Sequence, residues 1–222
     1  SMLASDRTAA LRVGVGSQAR PEAVDYLLWL GLGKDSLDSG DAITGQLRTL
    51  NLATAGILRK LDGAATSMTP LVFTSRESQM IGADKVSIMP DPKALLASFE
   101  PSGENLTIGA RISGKVRSAF DAPPPPPAPA EGDPPPPVPS QTAPHIAEPA
   151  QPVSIIVIAD CDMLLDRFWV QEQRMGPISL GLTKFADNGD LVINALDNLT
   201  GSSDLISVRS RGTYQRPFDR VE

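Results

Sequence analysis

The sequence predicts an α/β fold with a mixed, largely parallel sheet flanked by helices, of the Rossmann, flavodoxin or glutamine amidotransferase type, and with a β-rich N-terminal half. Two segments favour this fold class. Residues 153–159 belong to the longest apolar run in the chain, and a β-branched run of this length is typical of a fully buried strand in a parallel or mixed sheet. Residues 188–199 have the clearest helical periodicity, with Asn188 as a candidate N-cap and Gly201 as the stop.

Composition excludes several classes of function. The chain has 222 residues, 41% of them hydrophobic, and a net charge of −6. Nonspecific nucleic-acid binding depends on clustered Lys and Arg, so no nucleic-acid partner is expected. A single cysteine excludes an internal disulfide, and one cysteine with one histidine argues against a zinc site. No segment approaches the ~20 apolar residues of a membrane-spanning helix.

Alternating apolar residues predict most of the strands in the N-terminal half. Leu11, Val13 and Val15 alternate as a half-buried strand requires, and residues 105–114 repeat this pattern. Residues 92–99 are predicted to form a short helix that begins with proline. The other predicted elements are a strand or short helix at 26–32, a strand pair at 47–61, a strand at 68–75 with Pro70 at an edge or bulge, and a weak strand at 80–89.

The domain organisation is predicted from local composition. Fourteen of the 21 prolines lie between residues 121 and 152, and such runs favour solvated polyproline II over a packed core. Residues 122–152 are therefore predicted to be a disordered loop within a single α/β domain at 11–209. Residues 1–10 are predicted to be a disordered N-terminus, with Ser1-Met2 interpreted as a cloning scar, and residues 210–222 an exiting tail.

The C-terminal half contains fewer regular patterns. Residues 163–170 are predicted to form a short amphipathic helix, residues 171–184 an irregular segment, and residues 205–208 a last strand. The helix at residues 188–199 is expected to bury one stripe of side chains. The members of that stripe are Val192, Ala195, Leu196 and Leu199.

The acidic corner at Asp160 and Asp162 is the first candidate site, because ligand crevices in open α/β sheets lie beyond the carboxyl ends of strands. A strand followed by Asp-Cys-Asp has the outline of the haloacid-dehalogenase phosphatase motif. In that motif one aspartate attacks phosphorus, a second acts as general acid, and Mg²⁺ offsets the phosphate charge. Met163-Leu164 stands where the phosphatase motif has Gly-Thr or similar residues.

Further polar residues near residue 188 could complete such a site. Lys184, Asp187 and Asp190 are candidates for the lysine and the acidic ligands of a phosphatase, and Asn188 and Asp190 are candidate ligand-binding residues. Asp190 is equally explained as a helix-start residue that favours the positive end of the helix dipole. The sequence therefore leaves a degenerate, Mg²⁺-dependent hydrolase as the alternative to a binding domain.

Cys161 is a candidate nucleophile at a strand-to-helix turn. Such a turn needs small neighbours, whereas this cysteine lies between two aspartates whose charges oppose thiolate formation. The only histidine, His145, lies in the proline-rich segment, so no base is placed against the thiol. We interpret Cys161 as a small structural residue.

Several motifs, in order and at compatible spacing, resemble one family. They cover nearly the whole chain apart from the termini and the proline-rich segment. They are Asp160-Cys-Asp-Met-Leu-Leu-Asp166-Arg-Phe-Trp169, Ala186-Asp-Asn-Gly-Asp190, Asn194-Ala-Leu-Asp-Asn198-Leu-Thr-Gly201, Asp204-Leu-Ile-Ser-Val-Arg209, Arg216-Pro217-Phe218, Leu50-Asn51-Leu-Ala-Thr-Ala-Gly56, Thr69-Pro70-Leu71 and Ala110-Arg111-Ile-Ser-Gly114. The chain resembles the GldG-type auxiliary components of ABC transporters, the gliding-motility-associated family.

This resemblance implies a function and a location. It implies an extracytoplasmic, periplasmic domain of a membrane-anchored protein, with residues 210–222 leading to a membrane helix. Its implied partners are the permease and ATPase subunits of the transporter. The resemblance implies no catalysis, and we expect no cofactor and no metal. Under it, Asp160 and Asp162 are expected to cap the following helix or to contact a ligand.

Overall fold

The computed structural model describes residues 1–15, 22–86, 90–122 and 145–201. Its strands are β1 Met2–Asp6, β2 Ala10–Val15, β3 Glu22–Leu32, β4 Leu50–Ala53, β5 Ser67–Phe73, β6 Ser78–Gly82, β7 Thr107–Gly114, β8 Val153–Ile158, β9 Val170–Met175 and β10 Ile178–Lys184, and its α-helices are α1 Pro92–Ala97 and α2 Asn188–Leu199. Most of the proline-rich segment, the predicted strand at 205–208 and the tail at 210–222 lie outside the described residues.

The strands form four small sheets, and every strand pairing among the described residues is antiparallel. The strand orders are β1-β6, β2-β3-β4, β5-β7-β8 and β10-β9. The predicted Rossmann-like, largely parallel α/β fold was therefore wrong. Parallel pairs require crossover connections of about a dozen residues, usually helical, and the described part of the chain has only two short α-helices. The alternation in the N-terminal half was the better guide, since it is typical of antiparallel sheets.

The main hydrophobic core lies between the β2-β3-β4 and β5-β7-β8 sheets and the loop at residues 37–47. Fully buried side chains from four strands meet there, each contributing about 1.5–3 kcal/mol. They include Leu30 and Leu32 of β3, Leu50 and Leu52 of β4, Leu71 and Val72 of β5 and Ile108 of β7. A second cluster contains Tyr26 and Leu28 of β3 with Ile81 of β6. β3 contributes to both clusters and is the central strand of the fold.

β8 is an edge strand, which corrects the prediction of a fully buried central strand at residues 153–159. Of the described strands it pairs with β7 alone, and its direction is antiparallel to that strand. Ile156 and Ile158 pack against the main core, but Ile155 on the alternate face is 42% exposed. A continuous β-branched run can therefore belong to a strand with only one covered face.

The N-terminus forms β1, where residues 1–10 were predicted to be disordered. β1 pairs with β6, and Ala4, Ser5 and Asp6 at its end are buried. The Asp6 carboxylate accepts hydrogen bonds from the backbone N–H groups of Thr8 at 2.8 Å and Ser75 at 2.6 Å. β6 lies more than 70 residues away, so local composition gave no sign of this pairing.

The secondary structure of residues 163–184 also differs from the one predicted. Two 3₁₀ turns, Asp162–Leu164 and Asp166–Phe168, replace the amphipathic helix predicted at 163–170. The segment predicted to be irregular, residues 171–184, forms the hairpin β9–β10 around Gly176, whose φ of 61° suits a tight turn.

The bounds predicted for α2 are confirmed, but its buried face is different. Asn188, Leu191 and Asn194 are its buried residues, spaced three apart. Two members of the predicted stripe, Leu196 and Leu199, are exposed. The N-cap position belongs to Asp187 instead of Asn188.

Candidate functional site

Asp160 and Asn188, two of the predicted site residues, bind the backbone of β4 along the edge that does not pair with β3. Successive N–H groups of a strand point to opposite sides, so alternate residues present their N–H groups to the same edge. On the outer edge of β4, three side chains accept from such a series. Asp187 Oδ2 accepts from Thr49 N at 3.3 Å, Asn188 Oδ1 from Asn51 N at 3.0 Å, and Asp160 Oδ2 from Ala53 N at 2.7 Å. We call Asp160, Asp187 and Asn188 the β4 edge clamp.

Asn188 is the centre of the β4 edge clamp. Its side chain is fully buried, and both its Oδ1 and its Nδ2 form hydrogen bonds. Besides accepting from Asn51 N, it donates through Nδ2 to the carbonyl oxygens of Asn51 and Met163, both at 2.7 Å. The amide therefore pairs with β4 as a strand backbone would, and it also joins β4 to the first 3₁₀ turn.

Asp160 connects the end of β8 to both β4 and the first 3₁₀ turn. Its Oδ1 accepts from the N–H groups of Asp162 at 2.8 Å and Met163 at 3.1 Å, while Oδ2 accepts from Ala53. Burial raises the pKa of Asp160 above its usual value; the backbone hydrogen bonds act in the opposite direction, and the charge of Asp162 adds to the rise. Both oxygens are thus engaged by backbone groups, as in a capping residue.

Asp187 fixes the start of α2 against the residues before β4. Its Oδ2 accepts from Arg48 N at 2.7 Å, and its own N–H donates to Thr49 O at 2.8 Å. Burial acts to raise the pKa of Asp187, but the backbone donor of Arg48 and the ion pair with Lys184 outweigh it, so the pKa lies below its usual value.

Lys184 joins Asp187 to Asp190. Its Nζ lies 3.2 Å from Asp187 Oδ1 and pairs with Asp190 Oδ2 as well. Burial acts to lower the pKa of Lys184, but hydrogen bonds from Lys184 to Asp190 and Asp187 outweigh it and raise the pKa. Asp190 is therefore neutralised by a lysine at the solvent-facing side of the α2 start.

Two aromatic residues, Phe168 and Trp169, pack beside the β4 edge clamp. A Cβ atom at Gly189 would lie 2.6 Å from the ring of Trp169, so only glycine permits this close approach. Asn51 Nδ2 donates to Phe168 O at 2.7 Å. The ring of Phe168 packs edge-on against Trp29 of β3, with 5.3 Å between ring centroids. The second 3₁₀ turn is therefore held to the β2-β3-β4 sheet by both a polar and an aromatic contact.

The structure brings only two of the four predicted site residues to the same edge. Asp160 and Asn188 both bind β4, Asp162 lies in the first 3₁₀ turn, and Asp190 lies in the Lys184 ion-pair group. Sequence reasoning did not place Asp187 at the site except as a hypothetical metal ligand. The one available signal was its position directly before the helix start at residue 188.

No hydrogen bond among the described residues joins Cys161 to His145, the candidate nucleophile and the only histidine of the chain. Cys161 is exposed, and His145 Nε2 lies 2.7 Å from the carbonyl oxygen of Phe120. Within the part of the chain that the structure describes, no three His, Cys, Asp or Glu side chains are grouped so that they could hold a metal ion. The polar groups at β4 therefore form a backbone-binding arrangement.

Comparison with known proteins identifies the family. A model of an auxiliary family described as an ABC-type uncharacterized transport system matches residues 1–195. The chain belongs to this family. The match confirms the prediction of an auxiliary ABC transport component, while the gliding-motility assignment stays a prediction. No curated protein and no solved structure matches the chain.

The matched region of this ABC transport component contains the whole β4 edge clamp and ends within α2. α2, with 12 residues, is the longest α-helix that the structure describes, whereas a bilayer-spanning helix needs ~20 apolar residues. The described helices therefore include no membrane span.

The low pKa of Asp187 gives this ABC transport component a testable pH dependence. A carboxylate whose folded pKa is depressed adds stability above its unfolded pKa, and this contribution is lost as pH falls through the folded value. At pH 7 we expect Asp187→Asn to be less stable than the wild type by about 1.5–3 kcal/mol, the range for hydrogen bonds to a charged group. The difference, measured by urea unfolding, should shrink as pH falls below the usual aspartate range and through the lowered pKa of folded Asp187.

Comparison with the wild type isolates Asp187 in this experiment. The raised pKa of Asp160 acts in the opposite direction, because its protonation favours the folded state as pH falls, but Asp160 is present in both proteins. A stability difference that stays the same from pH 7 down to the most acidic pH at which both proteins remain folded would show that the charge of Asp187 contributes nothing.

Proposed function

We propose that this chain is a non-catalytic binding or coupling domain of an auxiliary ABC transport component, located on the extracytoplasmic side of the membrane. Its proposed partners are the permease and, through it, the ATPase subunits. The observation that carries the proposal is the family match over residues 1–195. The sequence motifs quoted above support the extracytoplasmic location and a membrane anchor.

The use of the predicted site residues also supports a non-catalytic role. A phosphatase nucleophile must present one carboxylate oxygen to phosphorus, but both oxygens of Asp160 accept hydrogen bonds from backbone N–H groups. Burial also disfavours its ionised form. Asn188 is fully buried and bonded to β4 and Met163, so it acts on the position of the turn after β8.

Because the side-chain atoms of Asp160 and Asn188 are already bonded, a ligand at this corner would have to contact other residues. Asp162 and Asp190 remain the candidates for ligand contact, since the carboxylate of Asp190 is 42% exposed. In this proposal Asp160 and Asn188 hold the 3₁₀ turn and the start of α2 in place, and the two outer aspartates face the bound group.

The direct test is co-purification from membranes. The full-length protein, tagged and expressed at its native level, should retain the permease and ATPase subunits after mild detergent solubilisation. Protease added to intact spheroplasts should digest the domain. Absence of both transporter subunits from the purified complex, or protection of the domain from protease, would contradict the proposal.

A second measurement examines the hydrolase alternative. The purified chain is assayed with phosphate monoesters and Mg²⁺, beside Asp160→Asn as the matched control. The proposal expects no turnover by either protein. Turnover that Asp160→Asn abolishes, in a variant whose circular dichroism matches the wild type, would favour the hydrolase.

A further inference from the structure

Among the residues that the structure describes, no strand pairs with the outer edge of either strand of the hairpin β9–β10. All of its residues are exposed except Val170 at its base. Among the described residues, backbone hydrogen bonds to residues 171–183 come only from the hairpin itself. A two-stranded hairpin is marginally stable in water, and free edges of this kind pair readily with another strand.

The hairpin also exposes apolar side chains. Met175 next to the turn is 64% exposed, and Ile178, Leu180 and Leu182 of β10 are each more than half exposed. Exposed aliphatic groups on an unpaired two-stranded sheet mark an interaction surface.

The charge pattern of β9 is complementary to that of β9 from a second copy of the chain in the antiparallel orientation. The strand contains the sequence Gln171-Glu172-Gln173-Arg174, with one acidic and one basic residue placed symmetrically around Gln173. We propose that β9 pairs antiparallel with β9 of a second copy of this chain, about a two-fold axis at Gln173, to form a four-stranded sheet of order β10-β9-β9-β10.

In this register every pair at the centre is complementary. Residue numbers that face each other across an axis at 173 add up to 346, so Glu172 faces Arg174 of the other copy twice. Gln173 faces its own copy, and an amide can both donate to and accept from another amide. Each Arg174 already binds Glu172 of its own chain at 2.8 Å, so the dimer would join four charges into one network.

Neighbouring two-fold registers are less favourable. An axis at Glu172 would place two carboxylates opposite each other, and an axis at Arg174 would do the same with two guanidinium groups. Directly opposed like charges destabilise an antiparallel pair, whereas opposite charges stabilise it. Registers centred between residues form no pair of opposite charges. The charge pattern therefore selects the axis at Gln173.

Charge reversal tests this interface with light scattering and analytical ultracentrifugation. We expect the wild type to form a dimer that dissociates on dilution and with added salt. Glu172→Arg and Arg174→Glu should each raise the dimer Kd by about 10- to 100-fold, because two attractive contacts become repulsive in each. Lys93→Glu, which reverses a charge of the exposed pair with Glu22, is the matched control and should leave Kd unchanged.

Mixing the two variants gives the decisive result. Glu172→Arg carries two positive charges on β9 and Arg174→Glu two negative ones, so an equimolar mixture should form a heterodimer although neither variant dimerises well alone. The double swap Glu172→Arg/Arg174→Glu should also dimerise. A wild type that stays monomeric at the highest attainable concentration, or a mixture that stays monomeric, would overturn the proposal.

A cross-linking measurement covers variants that fold poorly. In a Cys161→Ser background, Gln173→Cys should link to its own copy with a short bifunctional thiol reagent, because the axis passes through this position. Ser179→Cys on β10 is the control and should link much less. Equal linking at both positions would overturn the proposed register.

Discussion

Asn188→Ala is expected to destabilise the protein by about 4 kcal/mol, one of the two largest effects that the structure predicts. The substitution removes three hydrogen bonds and leaves the N–H and carbonyl of Asn51 and the carbonyl of Met163 without this partner. A buried group that loses its partner costs about 1–3 kcal/mol. Since domains of this size have a total stability of about 5–15 kcal/mol, a Tm decrease of roughly 10 °C is expected in a thermal scan.

Asn194→Ala is the matched control, because it is the same substitution on the same face of α2. Asn194 is also buried, but its Nδ2 donates only to Ile43 O, at 3.0 Å. Its loss should cost about 1–2 kcal/mol. Equal effects of the two substitutions in urea unfolding would mean that the pairing of Asn188 with β4 contributes little.

Asn188→Asp provides a second check on the direction of the hydrogen bonds. The new carboxylate could still accept from Asn51 N. It would, however, face the carbonyl oxygens of Asn51 and Met163, to which Nδ2 of Asn188 donates in the wild type. Burial would raise the pKa of this aspartate in the folded state, so stability should increase as pH falls through that value. The variant should therefore be least stable at neutral pH and recover in acid.

The pairing of Asn188 with β4 shows why the site could not be derived from local sequence. Asn188 and Asn51 are 137 residues apart, and Asp160 and Ala53 are 107 residues apart. A polar residue after a strand or before a helix has the same local pattern whether it binds a ligand, caps a turn or pairs with a distant strand. The sequence singled out Asp160 and Asn188, which the structure places against β4, but it did not indicate which backbone atoms they bind.

Regular structure was predictable where local and tertiary preferences agree. The alternation at residues 11–15 and 105–114 corresponds to β2 and β7, and proline at the first helical position marks the start of α1, where Asp91 accepts from Lys93 N at 3.0 Å. β9 was missed because its sequence is polar on both faces and it has no apolar alternation to reveal a strand. The predicted parallel sheet was wrong because the apolar run at β8 determined neither the direction of the strand nor the covering of both its faces.

Arg111→Met is expected to cost about 3 kcal/mol, through the loss of a largely buried ion pair. The guanidinium of Arg111 on β7 binds both carboxylate oxygens of Asp41, with Nη2 at 2.9 Å and 2.8 Å, and donates through Nη1 to Asn198 Oδ1 at 2.7 Å. Methionine keeps the apolar stem but leaves the Asp41 carboxylate, whose side chain is 14% exposed, without its cation. Breaking one side of a buried pair typically costs about 3–5 kcal/mol.

The contrast with an exposed ion pair makes the Arg111 prediction specific. Lys93→Met breaks the pair with Glu22, in which both side chains are more than half exposed, and should change stability by less than about 1 kcal/mol. Arg111→Lys should lie between the two, because an ammonium cannot bind Asp41 and Asn198 in the same geometry. Adding Asp41→Asn to Arg111→Met should recover part of the loss, since the unpaired buried charge is then removed. If Arg111→Met costs no more than Lys93→Met in urea unfolding, the connection from β7 to the C-terminal end of α2 does not stabilise the fold.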